Sequence, residues 1–195
     1  MISFLVVYGT GEGQTEKVAS RIAGVLRDRG HDATTVNAGD PPADLDVSAY
    51  DAVLVGASIH AGKHQEAVRT FVESARDTLA ARPTAFFQVS LTSSRDDEEA
   101  AAQAATYVEE FVDATGWHPD RIGLFGGALR YSEYGFFKRL LMRQIVKKTM
   151  PEVDGSEDVE FTDWDEVEAF AADVAAFVEG RLGVVPPSAD EVTES

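Results

Sequence analysis

ISFLVVYGTGEGQT, residues 2–15, is the stretch that decides the fold. Its first seven residues are a continuous run of β-prone side chains, which is typical of a strand buried on both faces. Three glycines follow at alternate positions, and a helical pattern with one apolar stripe begins near Gln14. The stretch therefore predicts a buried strand, a tight glycine-rich loop and an amphipathic helix that ends at Gly30.

The loop between that strand and helix has the composition of an anion-binding nest. Its glycines let several backbone N–H groups point inward, and Thr10 and Thr15 add hydroxyl donors. The N-terminus of the helix adds the positive end of its dipole. The loop lacks the Gly-Lys-Ser/Thr of a Walker loop and is not GxGxxG. We predict a phosphate site here, the alternative being a merely tight turn between strand and helix.

Strands and helices alternate along most of the chain. After the first strand, further strands are predicted at Ala33–Asn37, Ala52–Ala57, Thr84–Leu91 and Arg121–Leu129. Such alternation builds βαβ units, so we expect one doubly wound, five-stranded parallel sheet with helices on both faces. Sheets of this kind bind ligands outside the carboxyl ends of their strands, which directs attention to the loops that follow strands one, three, four and five.

One domain is predicted over residues 1–183, with an insert at about 130–157 after strand five and an acidic tail at 184–195 that is expected to be disordered. More than a third of the basic residues lie in Arg130–Met150. As an amphipathic helix, the insert would meet an anionic membrane surface or a partner protein. The residues that would make this contact are Phe136, Phe137, Leu140, Leu141, Arg139, Arg143 and Lys147. A helix packed on the domain is the alternative.

Charge and composition exclude several classes of function. The 34 acidic and 17 basic residues give a net charge of −17, which repels nucleic-acid phosphates. The absence of cysteine excludes disulfides, thiolate metal sites and a thiol nucleophile, and no metal site is predicted. No run approaches the ~20 apolar residues of a membrane span, and no signal peptide is expected. We expect a cytoplasmic protein whose acidic surface suits a salt-rich cytoplasm, with an ordinary acidic protein as the alternative.

Thr10-Gly11-Glu12-Gly13-Gln14-Thr15 resembles the FMN-phosphate loop of flavodoxins. Other segments resemble one branch of that superfamily, the quinone-dependent protoporphyrinogen oxidase (dehydrogenase) family. In chain order they are Gly56-Ala57-Ser58-Ile59, Pro83–Phe87, Trp117–Arg121, Gly127–Tyr131 and Phe161–Trp164. The resemblance implies a flavodoxin-like fold. The Ala-Leu-Arg-Tyr stretch at 128–131, followed by the basic aromatic insert, is what indicates the branch.

The resemblance also implies FMN as the cofactor and gives the loops their roles. The phosphate would be held by Thr10, Gly11, Glu12, Gly13, Gln14 and Thr15, and one side of the flavin ring would be lined by Ser58, Ile59, His60, Ala61 and Gly62. Leu91, Thr92 and Ser93 would line the other side. Arg130 and Tyr131 are candidates for the substrate or quinone side. A dinucleotide is not expected, because strand two ends without an acidic residue to hold a ribose.

The implied function is that of an FMN-dependent oxidoreductase, which oxidises protoporphyrinogen IX to protoporphyrin IX in heme biosynthesis and passes the electrons to a quinone. FMN would carry the redox chemistry, and no catalytic acid or base is predicted. One alternative is a flavodoxin-like FMN electron-transfer protein that serves a partner enzyme. Another is a domain that has kept the fold and lost the flavin. A quinone acceptor would place the protein at the inner face of the cell membrane.

Overall fold

A parallel sheet is the centre of the fold. The structure is a computed structural model, and it describes residues 1–60, 62–95, 97–129 and 158–185. The strands of the sheet are β1 (Ser3–Gly9), β2 (Asp32–Asn37), β3 (Ala52–His60), β5 (Thr84–Ser90) and β6 (Arg121–Gly126). They lie in the order β2-β1-β3-β5-β6, and every pairing between them is parallel. The predicted doubly wound sheet is confirmed.

Four helices cover the two faces of the sheet. They are α1 (Gln14–Asp28), α2 (Glu66–Ala80), α3 (Glu98–Thr115) and α4 (Trp164–Leu182). Phe4 and Val6 of β1 pack in the core with α1 and α4, whereas Leu5 and Val7 pack in the core with α2 and α3. All four side chains are fully buried. Because successive side chains of a strand point to opposite faces, the unbroken apolar run serves both cores.

Aspartates cap the two longest of these helices. The Asp97 carboxylate accepts a hydrogen bond from the Ala100 N–H at 2.8 Å, and the Asp163 carboxylate accepts from the N–H groups of Asp165 and Glu166. Asp163 therefore caps α4, as N-terminal N–H groups require. The neighbouring Thr162 hydroxyl instead donates to the carbonyl of Gly126, at 2.7 Å, and so ties the start of α4 to the end of β6.

A buried carboxylate joins α4 to the far end of the sheet. Glu179 accepts two hydrogen bonds from the Arg29 guanidinium, at 2.6 and 2.8 Å, and lies 2.8 Å from His31 Nε2. His31 Nδ1 accepts from the Ile2 N–H, so its Nε2 donates to Glu179. The bonds from Arg29 hold the pKa of the Glu179 carboxyl below its usual range. This cluster lies at the end of the sheet opposite the loop at residues 9–15.

The structure differs from the predicted elements at two places. β3 continues past Ala57 to His60, because its last residues pair with the antiparallel strand β4 (Lys63–His64). The predicted fifth strand breaks at Gly127, whose N–H donates to the Ser90 carbonyl. After this break, β7 (Ala128–Leu129) pairs with the antiparallel strand β8 (Val159–Glu160).

The insert predicted at about 130–157 lies outside the described residues, as do residues 186–195 of the tail predicted at 184–195, so the predicted domain boundaries stay a prediction. None of the helices that the structure does describe has both the length and the apolar content that a membrane crossing demands.

Candidate functional site

Three chain segments meet at the carboxyl ends of neighbouring strands. The loop after β1, the last residues of β3 and the turn after β5 all lie at this edge, and β1, β3 and β5 are adjacent in the sheet. Parallel strands place their carboxyl ends together, so residues that are about 80 positions apart in sequence share one site. These segments contain the residues that the sequence predicts for cofactor binding.

The loop after β1 (residues 10–13) leads into the N-terminus of α1. Gly13 has a φ of 84°, in the left-handed region that favours glycine, and it precedes the first turn of α1. The Thr10 hydroxyl accepts a hydrogen bond from the Gly13 N–H at 2.8 Å, which closes the loop on itself. Helix α1 has no side-chain cap, so the first N–H groups of the helix are directed to the loop without an intrahelical acceptor.

Thr15 carries the most informative atom of the site. Its side chain is fully buried in the first turn of α1, and within the described residues its Oγ1 has no hydrogen-bond partner. A stranded buried hydroxyl costs roughly 1–3 kcal/mol, so such groups are rare in folded proteins. A phosphate oxygen at the N-terminus of α1 would accept a hydrogen bond from the Thr15 hydroxyl. The hydroxyl and the helix N–H groups together match the chemistry of a phosphate ester.

Gln14 contributes to this loop in a different way from its neighbours. Its side chain is buried and donates from Nε2 to the Thr162 hydroxyl at 2.8 Å. Since Thr162 in turn donates to Gly126, this chain of hydrogen bonds ties the predicted phosphate loop (residues 10–15, called the phosphate loop below) to the end of β6 and the start of α4. The side chain of Gln14 is thus engaged elsewhere, and it is the backbone N–H of this residue that the helix geometry directs to a bound anion.

The charged residues beside the loop are mainly acidic. Glu12 and Glu16 flank the glycines, and the nearby Lys17 forms an ion pair with Glu160 at 3.3 Å. Burial, together with the charge of Glu16, raises the pKa of the Tyr8 phenol at the end of β1, so it stays neutral. An anion would therefore be held here by dipoles, and the donors that the sequence predicts for this role are all uncharged.

The β3–β4 hairpin forms one wall of the site. Ile59 pairs with His64 and His60 pairs with Lys63, while Gly62 turns with a φ of 77°. The His60 side chain is exposed, and it lies so close to Gly11 that a Cβ atom at Gly11 would overlap its Nε2. The hairpin therefore contacts the phosphate loop directly. Ala61 lies outside the described residues.

A second layer of buried groups supports this wall. The His64 ring donates through Nε2–H to Gln88 Oε1 at 2.9 Å, and Gln88, fully buried in β5, donates to the Ala104 carbonyl. Burial lowers the pKa of His64 to about 4. A neutral ring whose Nε2–H donates to the amide oxygen satisfies both groups. His64 also packs on Phe111, with ring centroids 4.7 Å apart.

The turn after β5 forms the opposite wall. Leu91, Thr92 and Ser93 are partly buried there, and Thr92–Ser94 is one turn of 3₁₀ helix. The Ser93 N–H donates to the Ser90 hydroxyl at 3.0 Å, so this predicted backbone donor is already bonded within the turn. The Ser94 hydroxyl accepts from the Gly127 N–H at 3.1 Å, which holds the turn against the start of β7.

The structure thus brings together 13 of the 14 residues predicted for the cofactor, all but Ala61, at one edge of the sheet. Their binding roles stay predictions. The residues predicted for the substrate or quinone side, Arg130 and Tyr131, lie outside the described residues. So do those predicted for the membrane or a partner, which are Phe136, Phe137, Arg139, Leu140, Leu141, Arg143 and Lys147. No metal cluster of His, Cys, Asp or Glu occurs in the described ranges.

Sequence reasoning missed Gln65, which lies directly before α2. Its side chain does not cap that helix and instead makes two hydrogen bonds to Ser58. The only signal in the sequence is that glutamine occupies an N-cap position, where serine, threonine or aspartate is the usual residue.

Comparisons with known proteins agree with this architecture. A family model described as a flavodoxin domain matches residues 5–155. The protoporphyrinogen IX dehydrogenase (quinone) of Escherichia coli strain K12 is 33% identical over 174 residues, which cover 88% of this chain and 93% of that protein. The enzyme of the same name from Leishmania major is 35% identical over 96% of this chain and 80% of its own length. A flavodoxin variant from Pseudomonas aeruginosa matches in structure with a TM-score of 0.55 at 17% identity, over 92% and 100% of the two chains.

Proposed function

The chain belongs to the flavodoxin-domain family, and on that premise we propose that it is an FMN-dependent oxidoreductase that oxidises protoporphyrinogen IX with a quinone as electron acceptor. The two relatives that bear this enzyme's name match the chain over most of their own length. Their similarity extends beyond the phosphate loop, which many flavin carriers share. The observation that carries the cofactor assignment is the buried hydroxyl of Thr15 at the N-terminus of α1, which has no hydrogen-bond partner among the residues that the structure describes.

The residues at the carboxyl edge of the sheet fit FMN. Thr10, Thr15 and the N–H groups of the loop other than that of Gly13, which is bonded to Thr10, would hold the phosphate without a fixed positive charge. The hairpin residues Ser58–His60 and the turn residues Leu91–Ser93 would line the two sides of the flavin ring. When bound, FMN supplies the redox chemistry by accepting electron pairs from the substrate and releasing them to the quinone.

The protein's own contribution is to bind and orient. The phosphate loop fixes one end of the cofactor, and the contact between His60 and Gly11 sets the spacing between that loop and the ring wall. Neutral His64 and Gln88 support the wall from below without placing a charge next to the flavin. No side chain of the site is assigned as a catalytic acid or base.

The basic insert supplies the proposed contacts outside the cofactor site. Arg130 and Tyr131 would meet the substrate or the quinone, and the cationic and aromatic residues between 136 and 147 would meet an anionic membrane surface or a redox partner. The support for this part is the sequence pattern, together with the quinone in the names of the relatives.

Anaerobic oxidation of protoporphyrinogen IX by the FMN-loaded protein tests the proposal. We expect porphyrin fluorescence to develop faster than with free FMN alone, and menaquinone to sustain turnover beyond one equivalent of flavin. A protein that binds FMN but produces porphyrin no faster than free FMN would be an electron carrier. A protein that binds no FMN at all would contradict the cofactor assignment as well.

A further inference from the structure

The side chain of Gln65 bridges two ends of the candidate flavin site. Its Nε2 donates to the Ser58 hydroxyl at 2.6 Å, and its Oε1 accepts from the Ser58 N–H at 3.3 Å. One carboxamide thus engages both polar groups that Ser58 offers to this side. The same residue occupies the N-cap position of α2, yet its side chain makes no capping hydrogen bond there.

The Gln65 carboxamide also lies against the end of β1. A Cβ atom at Gly9 would come within 2.6 Å of Gln65 Oε1, so the amide packs directly on the backbone where the phosphate loop begins. Gly9 pairs with Ala57 in the sheet, and Ser58 is the next residue of β3. Gln65 therefore contacts the strand that leads into the phosphate loop and the strand that leads into the ring wall.

The end of β3 is where such an anchor matters. The pairing of β3 with β1 ends at Ala57, and its pairing with β5 ends at Ser58. Within the described residues, Ile59 and His60 are paired only with the two-residue strand β4. A two-stranded ribbon of this size has little stability of its own, so its position depends on contacts at its base. The two hydrogen bonds from Gln65 to Ser58 are at that base.

We propose that Gln65 is a positioning residue that fixes the β3–β4 wall relative to the phosphate loop and thereby sets the affinity for FMN. This inference rests on the proposed FMN function. The placement of the side chain explains why glutamine stands at an N-cap, where it is a poor capping residue. A shorter residue such as serine would cap α2 better, but its hydroxyl could not span to Ser58.

Gln65→Ser separates positioning from general stability, because its effects on the two have opposite signs. We expect the melting temperature of the FMN-free variant to equal or exceed that of the parent, since serine caps α2. The dissociation constant for FMN should rise about tenfold, as for the loss of two neutral hydrogen bonds. Gln103→Ser, an exposed position on α3, is the matched control and should leave the affinity unchanged.

Gln65→Glu provides the rescue. A carboxylate of the same length can accept from both the N–H and the hydroxyl of Ser58, so this variant should recover most of the affinity that serine loses. In the FMN-free protein, hydrogen exchange of the Ser58 amide should be faster in Gln65→Ser than in the parent. The amide of Val55, within the paired part of β3, should exchange as before.

Several results would overturn the inference. If the parent binds FMN and Gln65→Ser binds it equally well, Gln65 does not position the wall. A lower melting temperature in Gln65→Ser, or no recovery in Gln65→Glu, would indicate a general structural role instead. If the Ser58 amide exchanges at the same rate in Gln65→Ser as in the parent, Gln65 does not anchor the end of β3, and this result is independent of FMN binding. Failure of the parent to bind FMN would contradict the proposed function, and the inference with it.

Discussion

Thr15→Val should stabilise the FMN-free protein and weaken its binding of FMN. Valine has the shape of threonine without the hydroxyl, and Thr15 Oγ1 is fully buried with no partner in the described part of the chain. Removing a stranded polar atom should raise the free energy of unfolding by about 1–2 kcal/mol. For a domain of this size, that corresponds to a melting temperature roughly 2–8 °C higher.

The effect on binding should have the opposite sign. In the complex, the hydroxyl donates to a charged phosphate oxygen, and such a bond contributes roughly 1–3 kcal/mol. The dissociation constant for FMN should therefore rise by about 5- to 150-fold. Differential scanning fluorimetry of the FMN-free protein and titration of flavin fluorescence measure the two effects separately. Together the two measurements test the role of Thr15 Oγ1 in the FMN-free protein and in the FMN complex.

Thr115→Val is the matched control. The Thr115 hydroxyl is also buried, but it donates to the Phe111 carbonyl at 2.8 Å and accepts from the Trp117 N–H. Since Thr115 lies at the end of α3 remote from the phosphate loop, this variant should be less stable than the parent and should bind FMN normally. If Thr15→Val lost stability as Thr115→Val does, or bound FMN like the parent, the phosphate assignment would be wrong.

Three further predictions concern pH, salt and the insert. Because burial lowers the pKa of His64 from 6.5 to about 4, protonation favours the unfolded chain, and stability should fall by on the order of 3 kcal/mol as the pH drops through this range. An NMR titration of the His64 ring with a midpoint near its ordinary value would contradict this. Raising the salt concentration from about 0.1 M to about 1 M should leave FMN binding unchanged or strengthen it. Uncharged dipoles bind the phosphate, and salt screens the protein's negative charge. Weaker FMN binding in titrations at high salt would indicate a cationic site. Changing Arg139, Arg143 and Lys147 together to Gln should spare FMN binding but weaken binding to anionic liposomes at low salt, by on the order of 1 kcal/mol per charge. Liposome binding equal to that of the parent would indicate that the insert packs on the domain.

Much of the fold follows from local sequence patterns. The run of apolar residues before Gly9 predicted a strand buried on both faces, and Phe4 and Leu5 indeed belong to opposite cores. The turn from β1 into α1 was predictable for the same reason, since glycine spacing and a following helix are local features, whereas its role in binding phosphate stays a prediction. The general rule for parallel sheets directed attention to the loops at the carboxyl ends of the strands, and the structure shows that the strands before three of these loops, β1, β3 and β5, are neighbours.

The second layer of the site could not be predicted, because it consists of contacts without a local pattern. His64 and Gln88 are 24 residues apart and each looks like an ordinary polar residue in the sequence. Their burial depends on how β4 folds back on β3, which is decided by two residue pairs. The same holds for the Thr15 hydroxyl, which lacks a hydrogen-bond partner in the described ranges. Whether a hydroxyl is satisfied depends on the whole environment, whereas sequence gives only the presence of the donor.

The charge distribution implies that the two anionic ligands of the proposed reaction, FMN and the porphyrinogen, are bound by different kinds of groups. FMN carries its charge on a phosphate, which uncharged donors of the loop at residues 10–15 can hold at short range in spite of the net charge of −17. A porphyrinogen carries carboxylates on a larger and more mobile ring, and an acidic surface repels them unless cations lie near the flavin. More than a third of the chain's cations occur between Arg130 and Met150. The described chain enters that segment from β7, directly after Gly127, which is hydrogen-bonded to Ser90 and Ser94 beside the second wall of the site. In the sequence, these cations therefore follow directly after the segment that lies beside the second wall of the site, whereas the loop at residues 10–15 contains none.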